Sequence, residues 1–427
     1  MKYLIVIIAA VIFPAVIFAG QGYLDVTAPG NRQLQLAIPP SRSMDGAQNA
    51  AIVKELNDVL SFDMTLAGPF SVMSGAGGKE NSGIRPGEFN FAPWKAAGAD
   101  LLVKSGYRVK GSAITLEFRL YDVFKEKEIV AKRYTGAISD LRKIAHMFDD
   151  QIMESVTGER GPFSGKIAFV SKQTGNKEIC LMDYDGYNVQ RLTRNGSINL
   201  NPDFSPNGRE IIYTSYKRRN PDLYRRELFT GTEASISSRH GINITGAYSP
   251  DGKRIALALS KDGNSEIYII DTSGKQSARL TNNSAIDVSP SWSPDGTKIA
   301  FTSDRLGRPQ VFIMNSDGSG VHRLTTSGSY NDRPRWSPKG DTILYCRMEG
   351  SGFQIYSINP DGSSDTRLTS EGSNEHARWS PDGRFITFSS TRRGKEAIYV
   401  MRADGSGQTR VSRGNAGDSH PAWSGRW

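Results

Sequence analysis

Cysteine is nearly missing from this chain: only Cys180 and Cys346 occur in 427 residues. They fall in strand-like runs of non-adjacent repeats, so reach argues against a disulfide between them. Both read as small buried hydrophobes. Histidine is scarce too, with five scattered residues and no metal-ligand spacing. No metal and no cofactor are therefore expected. No Gly-x-Ser-x-Gly elbow stands in a hydrolase context, and no catalytic domain follows Trp427, so an enzyme is not expected. Beyond residue 18 there is no long apolar run. A span needs about 20 such residues, so no direct membrane insertion is expected after the first segment.

That first segment is Lys2 followed by apolar Leu4–Phe18 and small Ala19-Gly20. It reads as a cleaved secretory signal over residues 1–20. No cysteine follows the cleavage region, which argues against a lipoprotein. The formal charge of +9 becomes +8 once Lys2 leaves with the signal. Nucleic acid is not an expected partner of an exported protein, and a monomer is expected.

What is abundant is repetition. Trp292-Ser-Pro-Asp-Gly-Thr-Lys-Ile-Ala-Phe-Thr-Ser303 returns almost verbatim as Trp379-Ser-Pro-Asp-Gly-Arg-Phe-Ile-Thr-Phe-Ser-Ser390. Aligned on the first serine, copies stand at Ser205, Ser249, Ser293, Ser337, Ser380 and a decayed Ser424, spaced 44, 44, 44, 43 and 44. Each unit holds four strand-like runs separated by Gly-containing turns and shows no helical period. Four strands in such a period predict a propeller blade, and six units predict a six-bladed β-propeller over 163–427. The first copy starts at its second strand, Lys166–Ser171. The last stops after the aromatic strand Pro421-Ala-Trp423. Joined, the two fragments make one blade and leave no open edge.

Residues 34–160 differ in kind and predict a small α/β domain. Strands are expected at 34–38, 100–104, 113–121 and 128–134. A helix is expected over 45–60, and another runs from a Ser139 cap to Gly158. Residues 21–33 precede that core as either an edge strand or a free peptide.

A leader, a small α/β domain and six copies of Asn/Asp-x-x-Pro-x-Trp-Ser-Pro-Asp-Gly resemble the TolB family of the periplasmic Tol-Pal system. The stretch Thr302–Val311 is also similar to the family's. The resemblance covers the whole mature chain and implies a protein-binding role in the periplasm. It implies Pal, a peptidoglycan-associated outer-membrane lipoprotein, at the propeller mouth. It also implies the C-terminal domain of TolA on the extended segment 21–33. Such a link would support outer-membrane invagination at division and envelope integrity. Tyr23, Leu24, Asp25 and Val26 alternate in a way suited to strand addition.

Five places before each repeat aromatic stand Asn199, Asn243, Asp287, Asn331, Asn374 and Asp418. These either cap turns or ring one opening of the channel. Two places further on, the copies differ: Asn201, Thr245, Ser289, Arg333, His376 and His420, with Asp332 and Glu375 beside them. Shared positions should carry the fold and varied ones specificity, so this mixed ring is the expected partner-binding mouth. His240 lies in the same connection of the second repeat. The tryptophans read as blade-to-blade packing. The repeated Asp-Gly pairs read as turns, because they lack the dense acids of a calcium loop. A glycan- or peptidoglycan-binding propeller is the rival reading.

Overall fold

The computed structural model describes residues 32–75 and 82–426. The expected leader and the segment holding Tyr23, Leu24, Asp25 and Val26 lie outside the described residues. No helix among the described residues is long and apolar enough to cross a membrane.

The N-terminal sheet contains β1 (Leu34–Ala37), β2 (Arg42–Ser43), β3 (Phe70–Val72), β4 (Leu101–Lys110), β5 (Ala113–Asp122) and β6 (Lys127–Ala137). Its order is β3-β1-β4-β5-β6, with β2 on β4. The pairs around β1 are parallel, and β4-β5-β6 is an antiparallel meander. Helices α1 (Ala50–Ala67) and α3 (Leu141–Thr157) bury their apolar stripes on this sheet, while the short α2 (Ala92–Ala96) anchors Trp94. The expected helix over 45–60 starts later because Asn49 caps it, accepting from the amides of Ala51 and Ile52. Ser139 is not the cap of α3. It lies in a 3-10 turn, Ile138–Asp140, where the Asp140 carboxylate accepts from the Ala137 amide. Gly158 ends α3 at φ 75°, where a side chain would be strained.

Six four-stranded antiparallel sheets follow. Blades 1 to 5 begin at the inner strands Asn199–Phe204, Asn243–Tyr248, Asp287–Trp292, Asn331–Trp336 and Asn374–Trp379. In blade 6 the C-terminal strand Asp418–Arg426 pairs antiparallel with Gly165–Ser171, so the chain's end closes the ring on its first propeller strand.

The Ser-Pro-Asp-Gly step works through its hydroxyl and carboxylate. Ser293 Oγ donates to Asp295 Oδ1 (2.5 Å) and accepts from the Lys298 amide (2.9 Å). Asp295 Oδ1 also accepts from the Thr297 amide (3.0 Å). Those bonds hold the Asp295 carboxyl down at about 2. The indoles of Trp292 and Trp379 donate to Ala247 O (3.2 Å) and Arg335 O (3.1 Å) on the preceding blade. The Asp-Gly pairs are turns: Asp317 Oδ1 accepts from the Ser319 amide at 2.9 Å. A Cβ on Gly186 would lie 1.9 Å from Val411 O, so the neighbouring blade requires glycine there. Cys180 and Cys346 are free and buried, and burial pushes their thiols up to about 12 and about 11.

Candidate partner-binding site

Antiparallel order gives the propeller two distinct faces. Each inner strand starts at one face and ends in its Ser-Pro turn at the other. The N-terminal domain docks on the Ser-Pro face. Arg402 donates to the carbonyls of Thr65 (2.8 Å) and Leu66 (3.0 Å), and Arg384 pairs with Glu159 (2.8 Å). Among the described residues, the mouth at the start of the inner strands is left uncovered by that domain.

The Asn/Asp positions do not ring this mouth with free side chains. Asn199, Asn243, Asp287, Asn331 and Asn374 have no exposed surface, and Asp418 is 5% exposed. Asn374 Nδ2 donates to Gln354 Oε1 of the preceding blade (2.9 Å) and to Glu371 O (3.0 Å), while its Oδ1 accepts from Arg392 (3.0 Å). Asn331 repeats the pattern on Gln310 Oε1 (2.7 Å) and Ser327 O (2.8 Å). Asn243 holds Arg239 O (2.8 Å). Asn199 reaches Glu178 Oε2 (3.2 Å). These side chains stitch the linker between blades as buried turn caps. Asp287 Oδ2 accepts from Arg305 (2.9 Å). Burial pushes the Asp418 carboxyl up.

Replacing Asn374 with alanine should therefore cost about 1–3 kcal/mol by orphaning buried acceptors, with partner affinity unchanged. Urea denaturation beside a binding titration checks this. Weaker binding at wild-type stability would return the side chain to the interface.

The varied ring is built by a repeated backbone device that sequence reasoning missed. Asn201, Thr245, Ser289, Arg333, His376 and His420 all have positive φ, between 51° and 59°. At each, the pairing of inner with second strand slips, as between Leu200 and Asp203 or Glu375 and Arg378. Each is a β-bulge. Four of the six are followed by Pro, which has no amide to lose from the ladder. Left-handed backbone at non-Gly residues costs on the order of 1–3 kcal/mol per site, and here it recurs six times around one ring.

The ring is uneven. Asn201, Thr245, Arg333 and His420 are partly exposed, whereas Ser289 and His376 are buried. Arg333 Nη1 meets Glu375 Oε2 at 2.7 Å, and its Nε lies 3.8 Å from Asp332. Asp332 Oδ1 accepts from Thr302 Oγ1 (2.8 Å). The rings of His376 and His420 lie 3.6 Å apart. Burial, then neighbouring positive charge, holds both imidazoles well below their usual range, so both are neutral near pH 7. His240 stands apart from the ring, exposed on the linker into blade 2.

One other cluster has metal-like spacing: Asp63, His146 and Asp149 bring one ligand atom each within 4.8 Å. His146 is already committed, with Nδ1 2.6 Å from Asp63 and Nε2 3.3 Å from Asp185. Despite burial, those carboxylates raise its pKa to about 10. A proton thus supplies the charge between the acids.

Residues 153–426 match the family model for the TolB beta propeller domain, and residues 22–129 match that for the TolB amino-terminal domain. A Tol-Pal system protein TolB from Geobacter sulfurreducens is 65% identical over 208 residues, 49% of this chain and 48% of that protein. One from Geobacter metallireducens is 65% identical over 209 residues, 49% of each. The chain thus spans about half the length of the curated relatives it matches. The crystal structure of TolB from Acinetobacter baumannii superposes with a TM-score of 0.81 at 28% identity, over 92% of this chain and 97% of that one. An α/β N-terminal domain, six blades closed by the last strand and both family models agree: the chain belongs to the TolB family.

Proposed function

We propose that this chain is a non-catalytic, monomeric binding component of the Tol-Pal system in the periplasm. In this reading the uncovered propeller mouth takes a Pal-like lipoprotein, and residues 21–33 take the C-terminal domain of TolA. The link supports outer-membrane invagination during division. The observation that carries the reading is the ring of six bulged residues on the face away from the N-terminal domain. Side chains that vary in charge and hydrogen bonding are held there on one shared backbone frame. Affinity and specificity at a protein interface come from a few such placed groups.

The test is a titration of a purified Pal domain against the mature protein. Arg333→Ala and His420→Ala together should weaken binding about tenfold or more, with TolA binding intact. Deleting 21–33 should do the reverse. Loss of both activities in both variants would defeat the two-site reading. Binding of isolated peptidoglycan with no response to the Pal domain would favour a glycan-binding propeller instead.

A further inference from the structure

Toward the Ser-Pro end of the channel, two guanidinium groups stand without a close counter-ion. Asp203, Ala247, Ser291, Arg335 and Arg378 line a cavity of about 200 Å³. Two guanidinium groups thus share one carboxylate, and the contact is loose: Arg378 Nε lies 3.9 Å from Asp203 Oδ1. That Nε has no hydrogen-bond partner. The other contacts are to carbonyls, Arg335 Nη1 to Pro334 O (2.8 Å) and Pro290 O (3.4 Å), and Arg378 Nη1 to Ala377 O (3.4 Å).

Among the described residues, no other carboxylate lies within 4 Å of either guanidinium. Asp332 and Glu375 are both taken by Arg333. His376 is 7% exposed and leaves Nε2 unpartnered. Burial, followed by the proximity of Arg378, presses Arg335 down to about 9, and Arg378 is lowered by burial as well. Both arginines are partly buried, and cations drawn from water with only a distant counter-charge are unfavourable. The guanidinium fork matches the oxygens of a carboxylate or phosphate. The side of the cavity formed by Ala247 and Ser291 has small side chains, which leaves space opposite the arginines.

We propose that the channel is an oxyanion site, binding one carboxylate or phosphate group between Arg335 and Arg378. The group arrives either as a free anion or as an acidic side chain of a protein that reaches down the channel from the mouth. The site stands on the channel geometry alone and does not require the partner reading.

Trp292, Trp336, Trp379 and Trp423 line the same cavity, so tryptophan fluorescence reports its occupancy. The mature protein is titrated with inorganic phosphate and with acetate, against sodium chloride at equal ionic strength. Phosphate or acetate should give a saturable fluorescence change and a higher Tm than chloride does. Arg335→Gln and Arg378→Gln should each weaken that response about tenfold or more. In anion-free buffer each variant should melt no lower than the wild type, because a repelling charge has gone. Arg378→Lys, which keeps the charge but not the fork, should fall between. The proposal is overturned if phosphate and acetate act only as chloride does, or if the Gln variants bind with wild-type affinity. Repeating the phosphate titration with a Pal domain present separates the sources. Competition assigns the site to an acidic side chain of the partner, and independent binding assigns it to a free anion.

Discussion

Replacing Asp63 with alanine is expected to destabilise the docking of the N-terminal domain on the propeller by about 3–5 kcal/mol, the cost of removing one member of a buried ionic set. Asp63 projects from α1 with no exposed surface. Its Oδ1 accepts from the Tyr184 hydroxyl on the propeller, and its Oδ2 faces His146 Nδ1 on α3 at 2.6 Å. Arg142, one turn before His146, pairs with Asp185 beside Tyr184. Glu55 on α1 lies 3.8 Å from Arg142. Asp149 buries both oxygens unpartnered, and burial with the Asp63 charge raises its pKa well above normal. Burial raises Asp150 to about 7 even though Ser164 and the Phe163 amide bond to it.

The sign of the pH dependence follows from those shifts. The His146 pKa is raised to about 10 from an ordinary 6.5, so its contribution is full below pH 6.5 and is lost as pH rises toward 10. The raised carboxyls act in the same direction, losing stability as pH rises above 3.8. Asp185, held below its usual range by His146 and Arg142 despite burial, acts oppositely and only in acid. In the channel, His376 and His420 have lowered pKa values, so their contribution is lost as pH falls below 6.5. Calorimetry of the wild type should thus show domain docking weakening between about pH 6.5 and 10, and Asp63→Ala should remove that window. A variant that unfolds as the wild type does at pH 7 and pH 9 would show that the cluster does not hold the domains together.

The ring was legible because a repeat period and a shared turn chemistry are local, linear signals. Closure was legible because the first and last copies are complementary fragments of one blade. The bulges were not, since Thr245, Ser289 and Arg333 give no sign of a left-handed backbone. Only the recurrent Pro in mid-strand hinted that the ladder is interrupted there. The six Asn/Asp positions looked like a rim because sequence spacing shows where a residue enters the strand but not which way its side chain turns. Their partners, such as Gln354 for Asn374, stand some 20 positions earlier on another blade. The interdomain cluster left a trace that went unread. Arg142, His146 and Asp149 repeat at i, i+4 and i+7 beside the apolar stripe of α3, a polar stripe that ends up buried.

Ending the chain at Gly417 should have the largest effect of all, because it opens the ring. The lost strand, Asp418–Arg426, is the inner strand of blade 6, and its removal leaves Gly165–Ser171 with an unpaired edge. It also removes Trp423, which stacks on Tyr184 at 5.6 Å and is 7% exposed. Losing that indole alone should cost about 3–5 kcal/mol as a cavity. The edge adds a second penalty of a different kind. A row of free amides and carbonyls beside Ile167, Phe169 and the rest of that buried strand is a template for pairing with another chain. Trp423→Ala should therefore remain a monomer with a lowered denaturation midpoint, whereas the truncated chain should associate through blade 6. Size-exclusion chromatography with light scattering separates the two outcomes. A truncated protein that stays monomeric and melts within a few degrees of Trp423→Ala would mean that five complete blades hold the propeller together without closure.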